Sequence, residues 1–359
     1  MKKTLLALAV LAASGAAFAQ SSVTLFGVVD GTVAFGRGDL TNKTALTNSG
    51  YNSSRLGFKG TEDLGGGLNA SFWLEAGVNN DDGTGAATST NNQTVGAFNA
   101  TTGANAPVRA GTQGLTFNRR STVSLAGNFG EVRLGRDYTP HFWNHTFYDA
   151  MGTNGVGSSQ VLASNLGGNT AVRASNSIGY ILPGNMGGFG GQVAYFLGEN
   201  ASGTPNDGNG YSLRGSYVKG PINAGLGYGR TNYAAGNITT INGGASYDFG
   251  IVKLSALYDQ DKNALTAITG KGFNVGVNAP IGAGEIRAAY SQYKTDAAGT
   301  PKSAKFALGY VYNLSKRTAL YTTVARLNNT GGASNALAGS TTSVNGSSTG
   351  FDFGVKHAF

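Results

Sequence analysis

The sequence predicts an all-β protein, a closed antiparallel transmembrane barrel of about sixteen strands, on three observations. First, segments of about 9–11 residues alternate apolar and polar side chains with a period of two from Val23 to the last residue, as strands between two different solvents do. Second, charged residues are only 12% of the chain, well below the roughly 25% of soluble domains. Yet no apolar run after residue 19 approaches the roughly 18 residues of a membrane helix. Third, short connections alternate with long polar ones, the asymmetry of barrels with short periplasmic turns and long external loops.

Residues 1–19 read as an export signal: Lys2 and Lys3 form a positive start, Leu5 to Ala13 an apolar run too short to span a bilayer, and Ala17-Phe18-Ala19 a cleavage site before Gln20. Residues 20–359 then form one barrel domain. Without Lys2 and Lys3, 24 basic residues stand against 18 acidic ones, a net charge of +6. No Lys/Arg-rich run occurs, which argues against nucleic acid as a partner. With no Cys, an exported chain is held by its fold alone. The 58 Gly and 7 Pro suit tight turns and close-packed strands rather than a Pro-rich disordered chain.

In chain order, the first strand covers Val23 to Phe35, with Val23, Leu25, Val29, Val33 and Phe35 on one face and Thr24, Asp30 and Thr32 on the other. A polar loop to about Asn52 leads to the hairpin SSRLGFKGTEDLGGGLNASFWLEAGV, turning at its Gly-rich centre. Asn79 to Gly114 is a long loop without periodicity. Leu115 to Gly127 pairs with Gly130 to Tyr138, and Thr139 to about Val172 is the second long non-strand segment. Arg173 to Leu182 pairs with Phe189 to Gly198. Four further hairpins turn at Gly220-Pro221, Phe249-Gly250, PIGAG and Ser315-Lys316, and Gly350 to Phe359 closes the count. Tyr310, Tyr312, Tyr321, Phe351, Phe353 and Phe359 fall near strand ends, where amphipathic rings favour the membrane interface.

Taken together, SSVTLFGVVD, SSRLGFKGTEDLGGGL, FNRRSTVSL, GEVRLGRDYTP, RASNSIGYILP and the C-terminal FGVKHAF resemble the general porins of Gram-negative outer membranes, most of all the trimeric porins of the neisserial and burkholderial type. The resemblance covers essentially the whole chain. It implies sixteen strands, a homotrimer, and a third loop, here Pro140 to about Asn169, folded into the lumen to form an eyelet with clustered arginines on one wall. Residue by residue, the cluster falls on Arg55, Arg119 and Arg173. Strand parity supports Arg55 but at the FNRR motif favours Arg120 over Arg119, unless a β-bulge shifts the phase. Both are kept as pore residues, with Lys59 one inward position from Arg55. Against them the loop offers Asp149, with Asp137 at its entrance. A terminal Phe359 is implied as the signal read by the outer-membrane assembly machinery. Outer-membrane lipid, lipopolysaccharide and small hydrophilic solutes are the remaining implied partners.

No catalytic or cofactor constellation competes. His141 and His145 flank Trp143 at i, i+4, near Asp137 and Asp149, but a metal site would need a helix and three or four converging ligands; polar loop residues are the simpler reading. No G-x-G-x-x-G, P-loop or G-x-S-x-G motif occurs. Asp30, Glu75 and Glu285 face the lumen without a His partner, as pore lining. The expected function is passive diffusion of small solutes and ions, anion-preferring, with no enzymatic step and no cofactor. A substrate-specific channel is the first alternative and a barrel adhesin or enzyme the second.

Overall fold

The computed structural model describes residues 22–86, 88, 92–93, 98–99, 104–105, 114, 116–201 and 206–359. The expected export signal lies outside the described residues, as does most of segment 87–115.

Sixteen barrel strands are present among the described residues. They begin with β1 (Ser22–Gly38), β2 (Arg55–Gly65), β3 (Leu68–Asn79), β4 (Arg120–Gly127) and β5 (Gly130–Tyr138). The next are β6 (Arg173–Ile181), β7 (Phe189–Phe196), β8 (Gly210–Lys219), β9 (Ile222–Tyr233) and β10 (Gly236–Asp248). The last are β11 (Lys253–Asn263), β12 (Ile268–Ile281), β13 (Gly284–Thr295), β14 (Lys302–Asn313), β15 (Thr318–Thr330) and β16 (Ser347–Ala358). Each pairs antiparallel with its sequence neighbours, and β16 pairs with β1 from Val28↔Ala358 to Gly38↔Ser348, so the sheet has no free edge. Backbone bonds of 3.0 and 3.1 Å between Gly27 and Phe359 finish the seam. Only Gly fits at position 27, because a Cβ there would run into the Phe359 ring and the Arg55 carbonyl.

The two faces are inverted relative to a soluble sheet. Val23, Leu25, Val29 and Val33 are exposed and Leu226 is 74% exposed, whereas Asp30, Thr32, Asn242, Asp259 and Asn274 are at most 2% exposed. Apolar residues face outward to lipid and polar ones inward, as in a membrane barrel. Tyr310 and Tyr312 belong to the outward aromatic belt near the tight turns. Tyr321 does not: it points inward, 3% exposed, and bonds to Thr32 and Asp30.

Leu308 lies midway along the outward run Ala304, Phe306, Leu308, Tyr310 and Tyr312 of β14. Leu308→Arg is expected to cost about 2–4 kcal/mol of barrel stability, and Ala304→Arg near the rim about 0–1 kcal/mol. Urea unfolding in lipid vesicles checks this; equal losses would contradict the assigned depth.

The expected polar loop after β1 contains a seven-residue strand, Asn42–Asn48, paired to the outer part of β1 from Gly31↔Asn48 to Arg37↔Asn42. Segment 139–172 is more ordered than the sequence suggested. It contains helices α1 (Trp143–Tyr148) and α2 (Gln160–Ser164) and two 3-10 turns. Pro140, Phe142, Tyr148, Met151 and Val161 are nearly fully buried, because the segment packs against the inward faces of β7 to β14.

Candidate functional site: the lumen constriction

Alternation in β2 and β3 places Arg55, Lys59, Trp73 and Glu75 on the inward face, with Gly57 opposite Glu75 and Lys59 opposite Trp73 in the ladder. On β4, Arg120 is opposite Glu75 and Thr122 opposite Trp73, so Arg120 is inward as well. Arg119 precedes the first residue of β4 and escapes its alternation. Its backbone N–H still donates to the Glu75 carbonyl at 3.1 Å. Its Nε donates to Glu75 Oε1 at 2.6 Å and its Nη2 to the Tyr138 hydroxyl at 2.9 Å. The parity conflict thus dissolves: both arginines belong to the lumen wall.

Arg173 joins from β6. Its Nη2 donates to the Tyr138 hydroxyl at 2.6 Å, its Nε donates to the Arg119 carbonyl at 3.0 Å, and its guanidinium lies 4.2 Å from the Tyr138 ring centroid. Arg55 lies 3.9 Å from Glu75. Glu75 also accepts the Trp73 indole N–H at 3.1 Å. Lys59 and Arg120 both reach that indole, 5.1 and 4.6 Å from its centroid. Such contacts contribute about 0.5–1 kcal/mol each when exposed and more when desolvated. They hold long cations in place without cancelling their charge.

Asp137 stands on the same wall, not opposite it. It accepts Arg133 Nη1 at 2.7 Å and the Tyr138 backbone N–H at 2.7 Å, with Arg120 Nε at 3.7 Å. Glu131 pairs with Arg133 at 2.8 Å. Asp149 corrects the expectation of a carboxylate facing the cluster. Its two oxygens accept the backbone N–H groups of Met151 and Ser159 at 2.9 Å each, and it is 6% exposed. It braces the turn of its own loop.

Sequence reasoning missed Arg133, Glu131, Tyr138 and Trp73 as members of the wall. The signal existed for the first two, because Glu131 and Arg133 alternate with Val132 and Leu134, which are outward.

The far wall uses its carboxylates to hold the inward loop. Asp259 accepts His145 Nε2 at 3.1 Å, Asp261 the Leu166 N–H at 3.2 Å, and Asp352 the Val156 N–H at 2.8 Å. Ser291 accepts the Gln160 N–H at 2.8 Å and Ser212 the His141 N–H at 3.1 Å. Asp30 accepts the Tyr51 and Asn52 N–H groups, and Glu285 pairs with Arg287 at 3.1 Å. Burial, helped by the neighbouring His145, holds the His141 pKa down to about 4, so it is neutral at pH 7. At His145 burial opposes the charged form, but the bond to Asp259 and its charge outweigh this and raise the pKa. The segment around His141 and His145 does contain the helix α1 that a metal site would need, yet no group of three or more ligating side chains converges among the described residues.

The arrangement is a cationic cluster on one inward wall and a loop tethered to the inward face of the other strands. The described wall carries six cations, Arg55, Lys59, Arg119, Arg120, Arg133 and Arg173, against three carboxylates, Glu75, Glu131 and Asp137.

Known proteins share this architecture. Over its full length the chain is 41% identical to outer membrane porin protein 32 of Delftia acidovorans, covering 100% of both. It is 28% identical to an outer membrane porin protein of Bordetella pertussis, over 89% of this chain and 93% of that one. The anion-selective porin from Comamonas acidovorans superposes with a TM-score of 0.80 at 38% identity, over 95% of this chain and 100% of that structure. The model of the Gram-negative porin family matches residues 4–332. The chain belongs to the Gram-negative porins, an outer-membrane β-barrel family.

Proposed function

We propose that the protein is a water-filled outer-membrane channel for passive diffusion of small hydrophilic solutes, with a preference for anions set by Arg55, Lys59, Arg119, Arg120 and Arg173. The observation that carries this reading is the imbalance of charge. The cationic wall has three surplus positive charges, six against three, while the far-wall carboxylates are occupied with loop N–H groups or with His145. Low-dielectric walls focus such a potential into the passage, and rings of arginine and lysine favour anions. The relative from Comamonas acidovorans, described as anion-selective, supports the sign. In a KCl gradient the reconstituted channel is expected to show a reversal potential of anionic sign that shrinks from 0.1 to 1 M, as the Debye length falls from about 10 to about 3 Å. A cationic sign would overturn the assignment.

Trimer assembly, cleavage of residues 1–19 and reading of Phe359 by the assembly machinery belong to the same proposal. Phe359 is half exposed on the outer face beside Gly27, available to a partner before the seam closes. Deleting Phe359 is expected to lower the yield of heat-modifiable trimer while export across the inner membrane is unchanged. Normal trimer yield would remove that role.

A further inference from the structure

We propose that a cavity behind the inward loop binds a small zwitterion, an α-amino acid, at a site separate from the cationic wall. Residues 47–50 after β1, 155–163 of the inward loop and 335–338 before β16 enclose the cavity over the inward faces of β1, β14 and β16. Its volume is about 360 Å³, within the roughly 300–1,000 Å³ of small-molecule sites. The loop closes tightly over it because residue 155 is glycine. Its φ is 62°, and a Cβ there would run into the Gly50 carbonyl and Asp352 Oδ2. A hydrophobic cluster that includes Val156 and Leu337 borders the cavity and lowers the local polarity.

Two buried charges line this cavity unmatched. Lys305, on β14, is 2% exposed, and its ammonium forms no hydrogen bond and no ion pair among the described residues. Asp149 acts on it only from a distance, and both Asp149 oxygens already accept backbone N–H groups. Asp352, on β16, is also 2% exposed. Its Oδ2 accepts the Val156 N–H at 2.8 Å, while its Oδ1 has no donor among the described residues. Lys305 and Asp352 lie within each other's field but not in contact. A buried charge without a partner is costly, so a molecule that reaches both would be held.

The remaining polar groups divide evenly. Thr47 and Ser158 bring hydroxyls to the cavity, and Gln160 and Asn335 bring amides. Gln160 Nε2 donates to Ser164 and Asn335 Nδ2 to Ser303, which leaves Gln160 Oε1 and Asn335 Oδ1 as open acceptors. The cavity thus offers one cation with two hydroxyls and one anion with two amide oxygens. A simple anion would be repelled by Asp352 and a simple cation by Lys305. An α-amino acid carries both charges on neighbouring carbons. Its carboxylate would accept from Lys305, and its ammonium would donate to Asp352 Oδ1.

The test is equilibrium dialysis of radiolabelled L-serine against the folded protein in detergent micelles. Saturable binding is expected, with acetate and methylamine, which offer one charge each, weaker by at least about tenfold. Lys305→Met and Asp352→Asn should each weaken serine binding by at least about tenfold. Lys305→Met should keep the barrel folded, because an apolar side chain of similar volume in place of a buried charge is often neutral or stabilising. Absence of saturable binding would show that the cavity holds water only and overturn the proposal. Native affinity in Lys305→Met, or acetate binding as tightly as serine, would overturn it as well. Arg55→Glu with Arg173→Glu should retain serine binding; its loss would place the amino acid at the cationic wall and overturn the separate site. The comparison of serine with acetate and methylamine uses the native protein alone, so it decides the matter even where Asp352→Asn disturbs the loop.

Discussion

Converting Arg55 and Arg173 to Glu together is expected to reverse the ion preference from anions to cations. The double substitution changes the wall by four unit charges, from a surplus of three positive to one negative. Unit charges about 4 Å apart interact by about 1 kcal/mol in bulk water and about 4 kcal/mol at an effective dielectric of 20. About 1.4 kcal/mol changes a ratio tenfold, so the anion-to-cation permeability ratio should fall by at least about tenfold. Arg317→Glu, in an exposed turn, controls for net charge and should leave the ratio near native. No shift in the double variant would remove the cluster from selectivity. Glu75→Gln should move the ratio the other way by a smaller step, because it frees Arg55 and Arg119 from their shared carboxylate.

The second large effect concerns the loop. Asp259→Ala with Asp261→Ala removes the acceptors of His145 Nε2 and of the Leu166 N–H. Removing one partner of a buried ion pair costs about 3–5 kcal/mol, here spent on one segment of the lumen rather than on the ladder. Larger and noisier single-channel conductance is expected, with much weaker selectivity and a barrel that still migrates as folded. Native conductance would show that the remaining anchors suffice. The pH dependence has a definite sign. The raised pKa of His145 means that its charged pairing is complete below the ordinary His value of about 6.5 and is lost as pH rises through the raised value. Conductance noise should therefore grow on the alkaline side in the native channel, and show no such step in His145→Gln.

The barrel was legible because a strand between lipid and water writes its period into every second residue. Expected strands such as Arg173 to Leu182 and Phe189 to Gly198 lie within about two residues of β6 and β7. The polar strand Asn42–Asn48 was not legible, since only one of its edges is paired by β1 and no apolar face is required of it. Arg55 followed from alternation. Arg119 did not, because it lies outside the ladder that defines alternation. Asp149 and Tyr321 were misplaced for a common reason: each is committed to hydrogen bonds with residues that adjoin it only after folding, or with backbone N–H groups no composition reveals.

The chain contains two tryptophans, and both stand beside the cationic cluster. Trp73 carries Lys59 and Arg120 against its ring, while Trp143, on α1, lies 5.0 Å from Tyr138, the hydroxyl that gathers Arg119 and Arg173. The tryptophan emission of the protein thus originates from the cationic wall and the root of the loop, with no contribution from the lipid-facing surface. An iodide ion entering the lumen would meet these indoles amid positive charge, and a caesium ion would be repelled from them. The molecule carries its own optical gauge of what approaches its cationic wall.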